Sequence, residues 1–368
     1  MTMCNSLTLT PEVPAQPDMT PAQQAFSEEL LQTINHAAAA LMISVGYRTG
    51  LFDAMQDGRA VTSEELAAKA GLDERYVREW LGAMTTARIV RVDPSSGRFT
   101  LPADHGAFLG NDAAIANMAG MFQFIAVLGG VEDRIVDCFR NGGGVSYEAY
   151  DRFHECMAEE SDGTIVAALE DAILPLAPGL VERLDAGIDV ADIGCGAGRA
   201  LNRMAALYPN SRFTGFDLCE ETVVRALAEA EALGLDNVHF EKKDATLLEG
   251  SGLFDLICTF DAVHDQAHPA TVLSHIRRLL RDDGVYLVQE IDAQTAVADN
   301  LDNPLGTFTY TISCMHCMTV SLAQGGVGLG AAWGEQLAIA MLKDAGFGNI
   351  ETHRLPHDIM SMYFVCRP

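Results

Sequence analysis

Asp192-Ile193-Gly194-Cys195-Gly196-Ala197-Gly198 follows the short apolar run Val190 to Ile193 and leads straight into a helical pattern near residues 199–207. Glycines at the end of a strand let the backbone turn sharply into a helix and let a ligand approach it closely. The spacing is G-x-G-x-G rather than G-x-G-x-x-G, and an acid stands two residues before the first glycine. A carboxylate there opposes a pyrophosphate and suits a cationic ligand. The turn therefore reads as a ligand-binding strand end, with a dinucleotide disfavoured.

Outward from this turn, short apolar strands alternate with amphipathic helices. Strands are expected at Val190 to Ile193, Arg212 to Phe216, Val238 to Glu241, Phe254 to Phe260 and Val285 to Ile291, with helices near 199–207, 220–233 and 269–281. That alternation predicts an α/β, doubly wound parallel sheet. Ligands of such sheets bind at the carboxyl ends of the strands. Asp217, followed by Leu218, ends the second strand nineteen residues after the last glycine, where a carboxylate can accept both hydroxyls of a ribose. Asp244, in Lys242-Lys243-Asp244-Ala245, can accept from an adenine amino group, with Ala245 offering a backbone donor. Phe260 and Asp261 end the fourth strand, where a transferable group would point. A lone strand-end Asp is more often a turn cap, so it is the conjunction that carries weight. Cationic at one end and adenosyl at the other, the expected ligand is S-adenosylmethionine, held by Asp192, Gly194, Cys195, Gly196, Gly198, Asp217, Leu218, Asp244, Ala245, Phe260 and Asp261.

Upstream, residues 1–20 read as a flexible tail. A helical pattern begins near 25 with Phe26, Leu30, Leu31 and Ile34 and enters the small-residue stretch His36 to Gly46. Thr62 or Ser63 caps a short helix that Gly71 ends, and a third helix spans Asp73 to Ala87. Ile89 to Val92 and Phe99 to Leu101 flank a Pro/Ser/Gly turn, a hairpin signal. Three helices and a hairpin give the order of a winged helix. Its third helix carries Arg75 and Arg78 against Asp73, Glu74 and Glu79, with no basic excess to read a DNA groove. Dimerisation is the preferred role for residues 21–110, and operator binding the rival. Residues 111–185 read as linking helices over the active site: Met118 to Cys138, Tyr147 to Glu160 and Gly163 to Leu174. Residues 186–368 form the sheet domain.

DIGCGAG, the acid of GFDL, KKDA and FDAVHD together resemble the class I S-adenosylmethionine-dependent methyltransferases, and the N-terminal part resembles their small-molecule O-methyltransferase type. More closely, residues from about 30 to 368 are similar to bacterial winged-helix methyltransferases often labelled transcriptional regulators. The resemblance implies a seven-stranded sheet whose last strands are Gly348 to Arg354 and Met360 to Cys366, after a helix Gly334 to Ala345. It also implies a homodimer joined through the N-terminal domain.

His264-Asp265 is similar to the His-Asp pair of that family, in which the His is the general base; Gln266 stands where the resemblance expects an aromatic residue. An imidazole suits proton removal from a phenol, acid or thiol, and Asp265 can orient it. The bland alternative is a histidine that merely hydrogen-bonds at a strand end. His264-Asp265-Gln266-Ala267-His268 also has the outline of a zinc helix. Pro269 opens the next helix and leaves 264–268 as loop, so no metal is expected. The insertion 292–333 is read as a lid, containing Ser313 to Met318 and a glycine run from 325 to 330. Cys314 and Cys317 are one C-x-x-C without a second pair, read mainly as core packing. Tyr147, His154, His316 and Cys317 are candidates for the acceptor side; Tyr147 and His154 serve equally well as interdomain packing.

Composition sets the outer bounds. With 24 Lys+Arg against 51 Asp+Glu, the formal charge of −27 opposes nucleic acids and anionic membrane surfaces. Nine dispersed cysteines behind a polar, Pro/Thr-rich start give no disulfide framework and no secretory signal, so a cytoplasmic protein is expected. The most apolar stretch, Met118 to Val131, is too short and interrupted to span a bilayer. The expected function is methyl transfer to a small O- or S-nucleophile. The alternatives are a thiol, sulfide or metalloid methyltransferase with little base catalysis, and a ligand-sensing winged-helix regulator.

Overall fold

The computed structural model describes residues 19–111, 113 and 117–368. It divides into two compact units, Met1–Gly106 and Ala107–Pro368. Residues 1–18 of the expected tail, with Cys4, lie outside the described residues.

In the first unit one helix runs over Pro21–Arg48, earlier than the apolar spacing implies, because Thr20 and Gln23 close a capping box and Pro21 occupies the first turn. Its N-terminal half leaves Phe26, Leu30, Leu31 and Ile34 exposed, and it buries residues only from Ala40 onward. Gly46 is required where the helix meets Trp80, since a Cβ would stand 2.6 Å from the indole. The Trp80 ring nitrogen donates to Met42 O at 2.8 Å. Thr62, rather than Ser63, caps the helix Ser63–Ala70, in a capping box with Glu65. Asp73 caps the helix Glu74–Thr86. Strands β1 (Arg91–Val92) and β2 (Phe99–Thr100) pair antiparallel as the wing, and Val61 bridges to Phe99 as a third edge.

In the second unit the linking segment is more broken than its periodicity predicts. The stretch expected as one helix from Met118 to Cys138 is a 3-10 turn Ala119–Phe122 and two helices, Gln123–Gly129 and Glu132–Asn141. The break falls at Gly129-Gly130, where helix propensity is lowest. Tyr147 does not share a helix with His154: Tyr147–Ala149 is a 3-10 turn, Arg152 has φ 64°, and the helix is Phe153–Ser161. Wide π-type turns at Asp162–Val166 and Leu169–Ile173 replace the regular helix expected from Gly163 to Leu174.

Seven strands follow: β3 (Asp189–Ile193), β4 (Arg212–Asp217), β5 (Val238–Lys242), β6 (Phe254–Phe260), β7 (Leu280–Ile291), β8 (Asn349–His353) and β9 (Ser361–Arg367). Their order is β5-β4-β3-β6-β7-β9-β8, with β3 to β7 parallel and β9 antiparallel to both its neighbours. Strand side chains alternate between two covered faces. Val190, Leu256, Cys258 and Leu287 pack against the helices Arg199–Leu207 and Glu220–Ala232 on one side. Ala191, Ile257, Tyr286 and Val288 pack against Pro269–Leu279 and Gly334–Asp344 on the other. Both faces of the parallel strands are thus apolar, as a doubly wound sheet requires. The chain moves outward from β3 to β5 and then returns to place β6 on the other side of β3, which opens a crevice at the carboxyl ends.

A third cluster joins Phe124, Leu128, Tyr150 and Phe153 to Ile312, Cys317 and Val320, so the linking segment and the insertion share one core. The insertion is helical over Gly306–Ile312 and Met318–Ala323 with a wide turn Ser313–Cys317 between them. Glycine is used here for close packing. A Cβ on Gly144 would lie 2.0 Å from Thr319 O, and one on Gly326 2.4 Å from Ala267 Cα. Among the described residues no helix is long and apolar enough to cross a membrane.

Candidate functional site

All three glycines of the β3 turn have left-handed φ: 76° at Gly194, 53° at Gly196 and 71° at Gly198. Side chains would also collide at two of them, with Ala262 at Gly194 and with Ala226 and Phe240 at Gly198. A Cβ on Gly196 would meet nothing within 4 Å, so this glycine faces open space. The Gly194 and Cys195 amides donate to Phe216 O, tying the turn to β4. Gly196 N–H donates to Asp217 Oδ2 at 2.8 Å, while Asp217 Oδ1 accepts from Cys219 N at 2.8 Å and Thr222 Oγ1 at 3.0 Å. Three protein donors leave a lone pair of this partly exposed carboxylate free, and two of the three are backbone amides that fix its orientation.

A cavity of about 130 Å³ lies beside this carboxylate, lined by Gly194, Asp217, Leu218, Asp244, Ala245 and Gln266 among others. Asp244 also caps the 3-10 turn Ala245–Leu247, its Oδ1 accepting from Thr246 N at 2.8 Å. The turn-cap role of that side chain is thus present in the structure. His268 and Gln324 line the same cavity without any strand-end signal in the sequence. Asp192 is buried with Oδ1 unpartnered among the described residues. Burial, followed by the Asp217 charge, pushes its carboxyl up to about 8. A buried acid with an orphaned oxygen at the glycine turn is a place that a cation completes. The residues present fit an adenosyl ligand with a cationic tail.

Phe260 packs at the end of β6 against the sheet core. Asp261, the next residue, has φ 53°, a strained conformation for a non-glycine at a strand end. Burial pushes its carboxyl up to about 7. Beyond it lies a buried cluster. His264 is 1% exposed, with Nδ1 2.5 Å from Glu290 Oε2 and Nε2 3.2 Å from Asp265 Oδ1. Burial alone would lower the imidazole pKa, but Glu290, then Asp265 and Asp261, outweigh it and raise it well above the ordinary value. Burial likewise works upward on Asp265, and the His264 charge overrides it to hold that carboxyl at about 2. Trp333 Nε1 and Val263 N–H complete the donors around Glu290.

Of the acceptor-side candidates, Tyr147 donates its hydroxyl to Asp265 Oδ2 at 3.3 Å. His154 stacks on Tyr147 with centroids 5.9 Å apart. His316 is 1% exposed and lies flat on Phe153 at 3.5 Å, with edges to Tyr147 and Tyr150. Cys317 is buried in the shared core, whereas Cys314 lines a different, open apolar groove of about 870 Å³ with Ile125, Leu128 and Phe139. The two thiols do not face a common site, and the groove holds none of the strand-end acids. His264 and His268 do not converge either: the first is buried in the cluster and the second lines the small cavity.

Sequence reasoning missed Glu290. The signal was an acid inside the apolar run Val285 to Ile291, where a fully buried charge demands a partner.

Residues 37–111 match the Rv2258c-like winged HTH domain, and residues 184–340 match a methyltransferase domain. Methyltransferase ungE' of Aspergillus campestris is 24% identical over 259 residues, which cover 68% of this chain and 71% of that protein. A ubiquinone biosynthesis O-methyltransferase of Caulobacter vibrioides is 30% identical over 107 residues, 29% of this chain and 42% of its own length. In fold, human N-acetylserotonin methyltransferase in complex with SAM aligns over 95% of this chain and 99% of its own, with a TM-score of 0.66 at 15% identity.

Proposed function

Because the chain belongs to the class I methyltransferases that carry an N-terminal winged-helix domain, we propose that it transfers the methyl group of S-adenosylmethionine to a protic small molecule with an oxygen or sulfur nucleophile. The single observation that carries this reading is the set of acids at three successive strand ends around one glycine turn, with Asp192 buried and its Oδ1 unpartnered among the described residues. When bound, S-adenosylmethionine supplies an electrophilic methyl on a cationic sulfonium. Asp217 would accept from the ribose hydroxyls, Asp244 and Ala245 would hold the adenine, and Asp192 would face the cationic end. Phe260 and Asp261 place the methyl toward the His264-Asp265 cluster. There Tyr147, His154, His316 and Cys317 form the acceptor side, under a cover made by the linking segment and the insertion. Proximity in a water-excluded cleft supplies most of the rate.

The winged helix in this reading is a dimerisation platform in a cytoplasmic homodimer. Its exposed Phe26, Leu30, Leu31 and Ile34 would be covered by a second copy. Arg78 and Arg75 are already paired, with Glu74 at 2.6 Å and Glu79 at 2.5 Å, which leaves the third helix little charge for phosphates.

Titration calorimetry with S-adenosylmethionine and its demethylated product, followed by a turnover screen across phenols, acids and thiols, tests the reading. Binding of both and turnover of at least one class are expected. No affinity for either cofactor form would overturn it.

A further inference from the structure

The loop after β6, residues 261–268, carries His264 and Asp265 and has no regular secondary structure. Its Gln266, Ala267 and His268 form one wall of the small cavity beside Asp217, so a single short loop stands between that cavity and the His264-Asp265 cluster. The insertion takes hold of it. Three carbonyls of the loop accept from that segment: His264 O from Gly330 N–H at 3.3 Å, Gln266 O from Ser321 Oγ at 2.9 Å and Ala267 O from Val327 N–H at 3.0 Å. Ser321 is the knot of this contact. It is fully buried, its hydroxyl donates to Gln266 O and accepts from Gly328 N–H at 3.2 Å, and its carbonyl accepts from Gln324 N–H and Gly326 N–H. Gln324 then lines the same cavity as the loop. Gly326 closes the contact from the other side: a Cβ there would stand 2.4 Å from Ala267 Cα and 2.7 Å from both Ala267 O and Ser321 Oγ. Gly325 and Gly328 have left-handed φ, 73° and 64°, but Gly326 does not, so close approach rather than a turn calls for glycine at 326.

We propose that Ser321, admitted by Gly326, is a positioning residue that clasps the loop 264–268, so that the insertion sets cofactor affinity and methyl-transfer rate together. The inference rests on the methyltransferase reading and deepens it. Bonds made within the loop, Gln266 N–H to Val263 O at 3.2 Å and Gln266 Nε2 to Ala262 O at 3.1 Å, fold it on itself without placing it. Glu290 anchors the start of the loop through Val263 N–H and the His264 ring. Ser321 anchors its end. Two anchors keep Gln266 to His268 as the cavity wall while Asp265 stays beside His264 Nε2. Without the Ser321 hydroxyl, Gln266 O and Gly328 N–H lose their partner in a buried contact, and a loop with few buried bonds opens at low free-energy cost.

The test compares Ser321→Ala and Gly326→Ala with a control, Ser211→Ala, on the full chain. Ser211 is matched in burial at 1% exposed, and its hydroxyl likewise donates to a carbonyl, Leu184 O at 2.6 Å, and accepts from an amide, Ile188 N–H at 3.0 Å. It precedes β4, at the edge of the sheet opposite the crevice. Three quantities are read: amide hydrogen exchange over residues 263–268 in the free protein, calorimetric affinity for the demethylated cofactor, and single-turnover transfer at saturating cofactor to an acceptor found in the screen. In Ser321→Ala exchange is expected to quicken at least about 10-fold, affinity to fall about 3- to 10-fold and transfer to slow about 10-fold or more. Gly326→Ala is expected to move all three in the same directions, with transfer slowed by about 100-fold, the cost of a displacement of about 1 Å near the chemistry. Ser211→Ala should lower the unfolding temperature and leave the three quantities within about twofold, because the site is remote. Any one of the three staying within about twofold of wild type in Ser321→Ala overturns the proposal, and so does an equal change in Ser211→Ala. Should Ser321→Ala fail to fold, Ser321→Cys, which weakens both bonds and keeps the side chain, takes its place. Failure of the methyltransferase reading shows separately as absent cofactor binding in the wild-type protein, with loop exchange still reporting the clasp.

Discussion

The two ends of the crevice are built on different plans. At the donor end, Asp192, Asp217 and Asp244 each sit at or just beyond the tip of a parallel strand; turn amides serve two of them, Gly196 and Cys219 for Asp217 and Thr246 for Asp244, while Asp192 Oδ1 has no partner among the described residues. At the acceptor end the contacts run between distant parts of the chain. His264 meets Glu290 across 26 residues, Tyr147 meets Asp265 across 118, and Val145 meets Thr319 across 174. The donor end can be read locally and tolerates no change of spacing. The acceptor end is assembled by packing of the linking segment on the insertion, a part of the protein free to vary without disturbing the sheet.

The sharpest way to break that comparison is Asp217→Ala. Removing the carboxylate strips the acceptor from the Gly196 and Cys219 amides and, in the proposed cofactor complex, from the ribose, so cofactor affinity is expected to fall at least about 100-fold, the loss of two or more charge-assisted hydrogen bonds. Calorimetry checks it, and an affinity within about threefold of wild type would show that the donor end is not organised around this residue.

The next effect is one of pH. In the cofactor-free protein the Asp192 carboxyl, raised to about 8 by burial and then by the Asp217 charge, keeps its proton at pH 6 to 7. A cation beside it favours the carboxylate, so binding releases a proton and affinity rises with pH up to about 8, then levels. The slope is at most about tenfold per pH unit for one proton. The sign for folding is opposite: between the ordinary carboxyl range and about 8 the unfolded chain has lost a proton that the folded chain retains, so cofactor-free stability falls as pH rises through that window. Asp192→Asn should flatten both profiles, measured by calorimetry and thermal unfolding at pH 5 to 9. A flat wild-type affinity profile would remove Asp192 from the cationic end.

Tyr147→Phe is the smallest change. It removes the hydroxyl that holds Asp265 and should leave cofactor affinity within about twofold, because the residue belongs to the other end. Turnover of an acceptor should drop several-fold, about the net value of one ordinary hydrogen bond, because this one is long at 3.3 Å. A large loss of cofactor binding in this variant would show that the two ends are coupled.

Residue patterns revealed the strand sequence, the glycine turn and the acids because each depends on neighbours a few positions away. The same local signals misjudged the linking segment. Apolar spacing from Met118 to Cys138 favours one helix, yet Gly129-Gly130 breaks it, and the helix that follows can then pack in the core shared with the insertion. Tyr147 and His154, on one face but about two turns apart on an ideal helix, are separated by the left-handed Arg152 and meet as stacked rings. Gly326 of the insertion, read as part of a lid, instead admits the backbone of Ala267 at close range, and Gly144 of the linking segment admits that of Thr319.

By itself the sequence determined a doubly wound sheet behind a winged helix and the kind of ligand its glycine turn receives, since strand period, turn chemistry and charge at a strand end are local properties. Which histidine is enclosed by carboxylates and which is left without a hydrogen-bond partner among the described residues was decided only by the tertiary structure. That distinction depends on Glu290 and Asp265 closing around one ring while burial leaves the other without partners, and no spacing along the chain encodes a dielectric environment.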